Sequence, residues 1–214
     1  MIIEKYKIKK LKQTRAGYTI IEMMIAVSIF LVIVMTGMGV LLNANTLHRK
    51  SHSMRSIIDN LNFIIEDMSR NLRTGYSYRC FASGQSIPSG SNDPTMDDPR
   101  SCSSGWGIAF EHGYGDPDPA VTNDQWVYYI DGTGKIFKST QGPYTSANFV
   151  QLTPDEVSIN ATTSSFSVLG AEKPILGNQQ QPLIVIRLVG TITIKNITTP
   201  FNLQTAVSQR LIDV

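Results

Sequence analysis

The side chains in this chain that could take part in chemistry are few, and they lie far apart in the sequence. The three histidines, His48, His52 and His112, do not have the spacing of a metal site. The sequence contains no Gly-x-Ser-x-Gly motif, phosphate loop or dinucleotide fingerprint. We therefore expect no catalytic residue, no enzyme activity and no cofactor.

Loop aspartates form two groups that could offer oxygen ligands to calcium. One group is Asp93, Asp97 and Asp98, and the other is Asp116 and Asp118. Neither group has the ligand spacing or the glycine of an EF-hand loop. Carboxylates in contact with solvent are the favoured interpretation, so the sequence predicts no metal site.

Glu22 is the one carboxylate in a long apolar run that continues from Met23 to Leu42. The 25 residues from Tyr18 to Leu42 would form a helix about 37 Å long, which exceeds the roughly 30 Å hydrocarbon core of a bilayer. A lone carboxylate in hydrocarbon costs several kcal/mol, so Glu22 is a candidate functional residue. The alternative is that Glu22 lies at headgroup depth near the start of the run and is tolerated there.

A basic segment precedes the apolar run and sets its orientation. Residues 1–17 carry six basic residues and one acid, a net charge of +5, whereas the whole chain carries +2. The remaining chain is therefore close to −3, and no basic patch indicates nucleic acid as a partner. Positive charge at one end of a membrane helix holds that end in the cytoplasm, so the chain after Leu42 should lie outside. The basic residues are Lys5, Lys7, Lys9, Lys10, Lys12 and Arg15.

The residues around position 17 resemble a known processing signal. The sequence Gly-Tyr-Thr-Ile-Ile-Glu at residues 17–22 lies behind a basic leader and ahead of an apolar helix. In this context it resembles the class III signal of type IV prepilins and type II secretion pseudopilins. Tyr18 stands in place of the usual Phe and Ile20 in place of the usual Leu, and an uncleaved signal anchor is the remaining alternative. The matching positions are Gly17, Tyr18, Thr19 and Glu22.

The resemblance implies how this segment is processed and used. A membrane peptidase would cut after Gly17, and the new amino group of Tyr18 would be N-methylated. Glu22 would act in subunit assembly, where its carboxylate meets the Tyr18 ammonium of a neighbouring subunit, because a mispaired buried charge stays unsatisfied. The implied partners are other pilin or pseudopilin subunits, the prepilin peptidase/N-methyltransferase and the inner (cytoplasmic) membrane.

Beyond Leu42 the sequence predicts that the helix continues onto a globular domain. Apolar residues recur at spacings of three and four, which is typical of one buried stripe on a helix. The helix should end near Arg73, with Gly75 as its C-terminal cap. The stripe comprises Met54, Ile58, Leu61, Ile65, Met68 and Leu72, reinforced by Ile57 and Ile64.

Residues 76–123 have the composition of a loop-rich insertion, in which Trp106–Phe110 is the first predicted strand. The only two cysteines of the chain, Cys80 and Cys102, lie in this segment. An even pair outside the membrane favours a disulfide, which would close a loop of about 20 residues and contribute roughly 3 kcal/mol. Two free thiols are the alternative.

The C-terminal half contains short β-type segments separated by turns, which predicts an antiparallel meander. The predicted fold class is α+β and pilin-like: a long N-terminal helix, transmembrane in its first half, packs on an antiparallel β-sheet. The predicted strands are Gln125–Asp131, Lys135–Ser139, Phe149–Leu152, Val157–Asn160, Ser165–Leu169, Leu183–Ile194 and Phe201–Leu211.

The sequence thus predicts four segments. They are a cleaved leader at 1–17, a transmembrane or filament-core helix at 18–42, an amphipathic helix at 43–75 and a periplasmic or extracellular β domain at 76–214.

Three classes of function are consistent with this organisation. The leading hypothesis is a minor pilin or pseudopilin of a type IV pilus or a type II secretion pseudopilus, in an initiating or tip complex. Its size and general pattern most resemble the larger minor pilins and the J-type pseudopilins. The second hypothesis is an adhesion or binding module that a filament presents through residues 76–123, and the third is a signal-anchored extracytoplasmic enzyme.

Overall fold

The computed structural model describes residues 17–88, 98–116, 118, 121–143, 145–173, 180–195 and 197–210. It contains one long helix, α1, and a nine-stranded antiparallel sheet, which confirms the predicted α+β pilin-like class. The chain divides into two compact units, Met1–Arg49 and Lys50–Val214. The elements are α1 (Ile20–Thr74), β1 (Tyr76–Ala82), β2 (Cys102–Glu111), β3 (Trp126–Ile130), β4 (Ile136–Ser139), β5 (Val150–Gln151), β6 (Val157–Ile159), β7 (Ser165–Leu169), β8 (Leu183–Ile194) and β9 (Ile197–Ser208).

The sheet is antiparallel throughout, but it is not a simple meander. Its main path runs β5-β4-β3-β2-β7-β8-β6, with β1 also paired to β2 and β9 also paired to β8. Two meanders, β1 to β5 and β7 to β9, are joined where β2 pairs with β7. The strand β6 pairs with the far part of β8 instead of with a sequence neighbour. The prediction of a single meander is therefore wrong in its connectivity, because short alternating segments do not encode which distant strand they pair with.

The second half of α1 buries one stripe of apolar side chains, as the spacing predicts. Leu61, Ile64, Met68 and Leu72 are the helix residues that are buried in the core. Ile58, by contrast, is 39% exposed. The sheet therefore covers the edge of the stripe on which Ile64 lies and leaves the edge with Ile58 exposed. The stripe was predicted correctly, but its centre was placed too far toward Ile58.

The helix ends at Thr74 through a contact that the sequence pattern did not indicate. The hydroxyl of Tyr78 lies 2.5 Å from the carbonyl oxygen of Leu72 and 2.6 Å from that of Gly75, so its one proton is shared between, or donated to either of, two carbonyls at the end of the helix. Gly75 does not have a positive φ and is therefore not a left-handed cap. A Cβ at Gly75 would overlap the ring of Phe110, so close packing explains the glycine.

Residues 76–123 are more regular than their composition suggests. They contain β1 and β2, so Trp106–Phe110 belongs to the second strand of the sheet and not to the first. The prediction missed β1 because the Ser, Gly, Asp and Pro content of the whole 76–123 segment outweighed the short alternation of apolar residues with Ser77 and Arg79. Ser77 also has a positive φ of 54°, which makes the strand irregular. Two of the candidate calcium ligands, Asp93 and Asp97, lie outside the described residues.

Candidate processing and assembly site

The residues of the predicted processing signal form the start of α1. Gly17, Tyr18 and Thr19 precede the helix, which begins at Ile20. The backbone N–H of Glu22 donates to the side-chain hydroxyl of Thr19 at 3.4 Å, and Met23 N–H donates to the Thr19 carbonyl at 3.2 Å. Thr19 is therefore the N-cap, and Thr-x-x-Glu at 19–22 has the spacing of a capping box.

The described residues that follow the predicted cleavage point leave it exposed. Tyr18 is 79% exposed, and a Cβ built on Gly17 would meet no described atom within 4 Å. No described neighbour therefore explains by packing why position 17 is a glycine.

The first half of α1 exposes apolar side chains on every side. Among the exposed large apolar residues of this stretch, exposure ranges from 49% for Leu31 to 84% for Ile20, and Val34 is less exposed. The part of α1 that is long and apolar enough to cross a membrane has no buried residue. The two hydroxyls between Ile20 and Leu42 bond to the helix itself: Ser28 donates to Met24 O at 2.8 Å and Thr36 donates to Val32 O at 2.9 Å. These internal bonds satisfy both hydroxyls without water, which suits a hydrocarbon environment.

Glu22 is the only ionisable side chain between Ile20 and Leu47. It lies in the first turn of α1, where free N–H groups and the helix dipole favour a negative charge. Its position at the end of the apolar stretch therefore lowers the free-energy cost of a carboxylate in this helix. The structure brings Glu22 into one helical turn with Thr19, while the predicted disulfide belongs to the other unit.

Cys80 and Cys102 are joined by a disulfide that links β1 to β2, as the sequence predicts. Their Cα atoms are 5.7 Å apart, within the ordinary range for such a bond. Cys80 is fully buried beside the carbonyl of Phe166 on β7, so the bond lies in the core of the sheet. A Cβ at Gly105 would overlap the sulfur of Cys80, and the absence of a side chain there leaves room for the disulfide.

A polar cluster that the sequence did not predict connects α1 to the sheet. Asp67 on the helix accepts from Lys138 Nζ at 2.8 Å, from Tyr128 OH at 3.1 Å and from Asn71 Nδ2 at 3.0 Å. Burial alone would raise the pKa of Asp67, but the Lys138 hydrogen bond and charge and the two neutral donors hold it below the ordinary value. Lys138 also lies 4.4 Å from the ring centroid of Trp126.

The remaining candidate ligands do not form a metal centre in the part of the chain that the structure describes, where no group of three His, Cys, Asp or Glu residues could hold an ion. His112 stacks on Trp126 with ring centroids 4.2 Å apart. Desolvation, and then the nearby charge of Lys138, lowers the pKa of His112. This histidine therefore packs against Trp126 on the sheet and does not join a group of metal ligands in the described residues.

Comparison with known proteins identifies the N-terminal segment. Residues 12–38 match the family model of the prokaryotic N-terminal methylation motif, which spans the end of the basic segment, the Gly17–Tyr18 bond and the first part of the exposed apolar helix. No curated protein and no solved structure matches the chain. The motif implies processing by a prepilin peptidase, assembly with other pilins and anchoring in a membrane through the N-terminal helix. The chain thus carries, at its N-terminus, a class III signal of the type IV prepilin kind.

Proposed function

We propose that this protein is a minor pilin or pseudopilin subunit that is cut after Gly17, N-methylated on Tyr18 and incorporated into a type IV pilus or a type II secretion pseudopilus. Before assembly it is held in the inner membrane by α1, with the Lys50–Val214 unit outside the cytoplasm. Its place is an initiating or tip complex, and its role is structural and not enzymatic. The partners are other pilin or pseudopilin subunits.

The observation that carries this proposal is the combination of an exposed Tyr18 with an apolar helix that the described residues leave uncovered. An exposed helix of this kind needs lipid or neighbouring helices around it. One charge, Glu22, remains at its N-terminal turn. An ammonium group on a neighbour's Tyr18 would pair with this carboxylate and fix the axial register of two helices, because a mispaired charge would stay unsatisfied in an apolar medium.

The site offers an experiment that separates this assembly role from a local role in starting the helix. Gln can take the place of Glu in a capping box, but it carries no charge. We therefore compare Glu22→Gln with Glu22→Val at matched protein levels. If the charge pairs subunits, both variants lose incorporation into filaments to a similar degree while membrane insertion and the melting of the Lys50–Val214 unit stay unchanged.

Two results would contradict the proposal. Assembly that Glu22→Gln retains and Glu22→Val loses would make Glu22 a helix-capping residue. Intact mass showing residues 1–17 still attached, in cells with an active prepilin peptidase, would remove the processing step itself. The matched control is Thr19→Ser, which keeps the capping hydroxyl and should leave both processing and assembly at the wild-type level.

A further inference from the structure

The sheet has one long edge that no described residue covers. β9 pairs with β8 from Ile197↔Ile194 to Ser208↔Leu183, and no other strand in the described ranges pairs with β9. Along β9 only Val207 is buried, and Gln204, Ala206 and Ser208 are exposed. An uncovered strand edge presents unpaired N–H and C=O groups to any other extended chain.

The other edges of the sheet are short or occupied. β5 has only two residues. The outer side of β6 is bonded to the β3–β4 turn, where Ile159 N–H donates to Gly134 O at 2.8 Å. The outer side of β1 is bonded to Arg100, which accepts from Cys80 N–H at 3.0 Å and donates to Tyr78 O at 2.9 Å. Among the described strands, β9 is therefore the long open one.

The main-chain groups that face the open edge can be assigned from β8. Val189 N–H donates to the Ser164 hydroxyl at 2.8 Å and Val189 O accepts from Asn160 N–H at 2.7 Å, so both groups point away from β9. Val189 lies opposite Asn202, so the two form a non-hydrogen-bonded pair. Residues of a non-hydrogen-bonded pair direct their main-chain N–H and C=O groups away from each other. With the two-residue period of a strand, the outward-facing residues are Asn202, Gln204, Ala206 and Ser208.

Over residues 202–208, β9 lacks the usual protection of an edge strand. None of its twelve residues is charged. Natural edges are commonly blocked by lysine or proline. The single proline, Pro200, lies at an outward-facing position near the β8–β9 hairpin, where it loses no bond to β8 and prevents a partner strand from pairing. The open stretch is therefore residues 202–208.

We propose that residues 202–208 of β9 bind an uncharged extended strand from a different pilin-type subunit, which adds to this sheet as a further strand. Main-chain hydrogen bonds would give the affinity in this mode of recognition. The absence of charge on β9 favours a partner strand that is also uncharged, since a charged side chain beside it would lose solvent without gaining a counter-charge. This inference rests on the proposed function for the identity of the partner.

The partner is a different chain because a second copy does not fit. Antiparallel pairing of β9 with β9 requires a twofold axis perpendicular to the sheet, and this axis would reverse the Lys50–Thr74 part of α1, which packs along the sheet face. Copies in a helical filament, as the proposed function requires, are related by a head-to-tail operation and not by a twofold axis, so they present that part in the same direction. Head-to-tail pairing of copies would need a second open edge, and the other described edges are short or bonded.

The experiment places a photo-crosslinking residue, p-benzoylphenylalanine, at Gln204 in the full chain in cells that assemble the filament. Its matched control is the same residue at Ser158, which is exposed on β6, whose outer edge is already bonded. Crosslinked peptides are identified by mass spectrometry. The expected adduct from Gln204 is an uncharged segment of another chain that carries the N-terminal methylation motif, and Ser158 should give no such adduct.

Two edge variants test whether the main chain makes the contact. Ala206→Pro removes one outward N–H while it leaves the bonds to β8, and the adduct should fall about three- to tenfold. Ala206→Lys keeps the N–H but adds a charge at the edge, and it should also reduce the adduct, so the test stands if the proline variant does not fold. Pro200→Ala should leave the adduct unchanged or raise it.

The inference is overturned by an adduct with a second copy of this chain, by an adduct with a protein that lacks the methylation motif, or by an adduct that neither Ala206 variant reduces. It is also overturned if Gln204 gives no adduct while the same cells contain the processed, assembled subunit. An uncut leader or a chain absent from filaments would instead refute the proposed function, so the two failures are distinguished by intact mass and by the filament fraction.

Discussion

Gly134→Ala should destabilise the sheet because this glycine holds the β3–β4 turn against β6. Gly134 has a φ of +79°, a conformation that costs alanine about 1–2 kcal/mol. Its Cβ would also overlap the carbonyl oxygen of Ile159 and lie 3.0 Å from the Ile159 nitrogen. Backbone atoms cannot move aside by a rotamer change, so the turn must shift.

The shift would break contacts that fix the turn to its neighbours. The hydrogen bond from Ile159 N–H to Gly134 O, 2.8 Å long, would contribute about 0.5–1.5 kcal/mol to the loss. Lys135 Nζ donates to the carbonyls of Pro154, Asp155 and Val157 at 2.6–3.2 Å, and these bonds would be strained in the same movement. We expect the free energy of unfolding to fall by about 2–4 kcal/mol.

The measurement is thermal unfolding of the full chain in detergent, followed by the fluorescence of Trp106 and Trp126, which lie in β2 and β3. For a chain of this size, each kcal/mol lowers Tm by about 2–4 °C, so Gly134→Ala should lower it by about 5–15 °C. Gly132→Ala is the matched control in the same loop, because Gly132 has no positive φ and its Cβ would meet no atom within 4 Å. Equal Tm values for the two variants would refute the reasoning.

Three further predictions concern other parts of the chain. The folded-state pKa of Asp67 is lowered, so its stabilising contribution is present above the unfolded pKa of about 3.9 and is lost as pH falls through the folded value. The Tm difference between wild type and Asp67→Asn should therefore be widest near pH 7 and shrink below about pH 4. Reducing the Cys80–Cys102 bond, or replacing both residues by alanine, should lower the free energy of unfolding by about 3 kcal/mol in denaturant titrations, and an unchanged midpoint would contradict a folded-state disulfide. Gly17→Ala should slow leader removal modestly whereas Gly17→Leu should block it, as followed by intact mass over time; equal rates would show that access to the backbone at residue 17 does not limit cleavage.

Sequence patterns predicted those elements whose signal is local. β7 and β8 have the predicted bounds, Ser165–Leu169 and Leu183–Ile194, because one face of each strand is buried and the other is not, which produces alternation along the chain. β9 begins at Ile197, four residues before the predicted start at Phe201. Its first four residues, Ile197–Pro200, are mostly exposed, so pairing with β8 and not burial determines where the strand begins.

Features that depend on distant residues had no such signal. Asp67 and Lys138 are separated by 71 positions in the sequence, and only the folded sheet brings the lysine under the helix. The same holds for the Tyr78 hydroxyl that ends α1, since a buried tyrosine near a helix terminus has no fixed spacing from the carbonyls it binds. The processing signal could be predicted because it depends only on residues that are close in sequence. A peptidase binds a short stretch of chain, and a capping box joins two residues three positions apart.

The first turn of α1 shows how one short sequence can satisfy two requirements at once. A helix that begins at the edge of an apolar medium has N–H groups without partners, and Thr19 with a carboxylate at position 22 supplies what those groups need. A carboxylate is also the group that a neighbour's N-terminal ammonium would bind. The dipole of its own helix favours a negative charge at this position, whereas a carboxylate near Leu31 would face the full cost of burial in hydrocarbon. The position of the charge, and not only its presence, therefore matters for assembly: Glu22→Gln combined with Met23→Glu should insert normally and still fail to assemble, since the carboxylate has turned about 100° around the helix from the partner's ammonium.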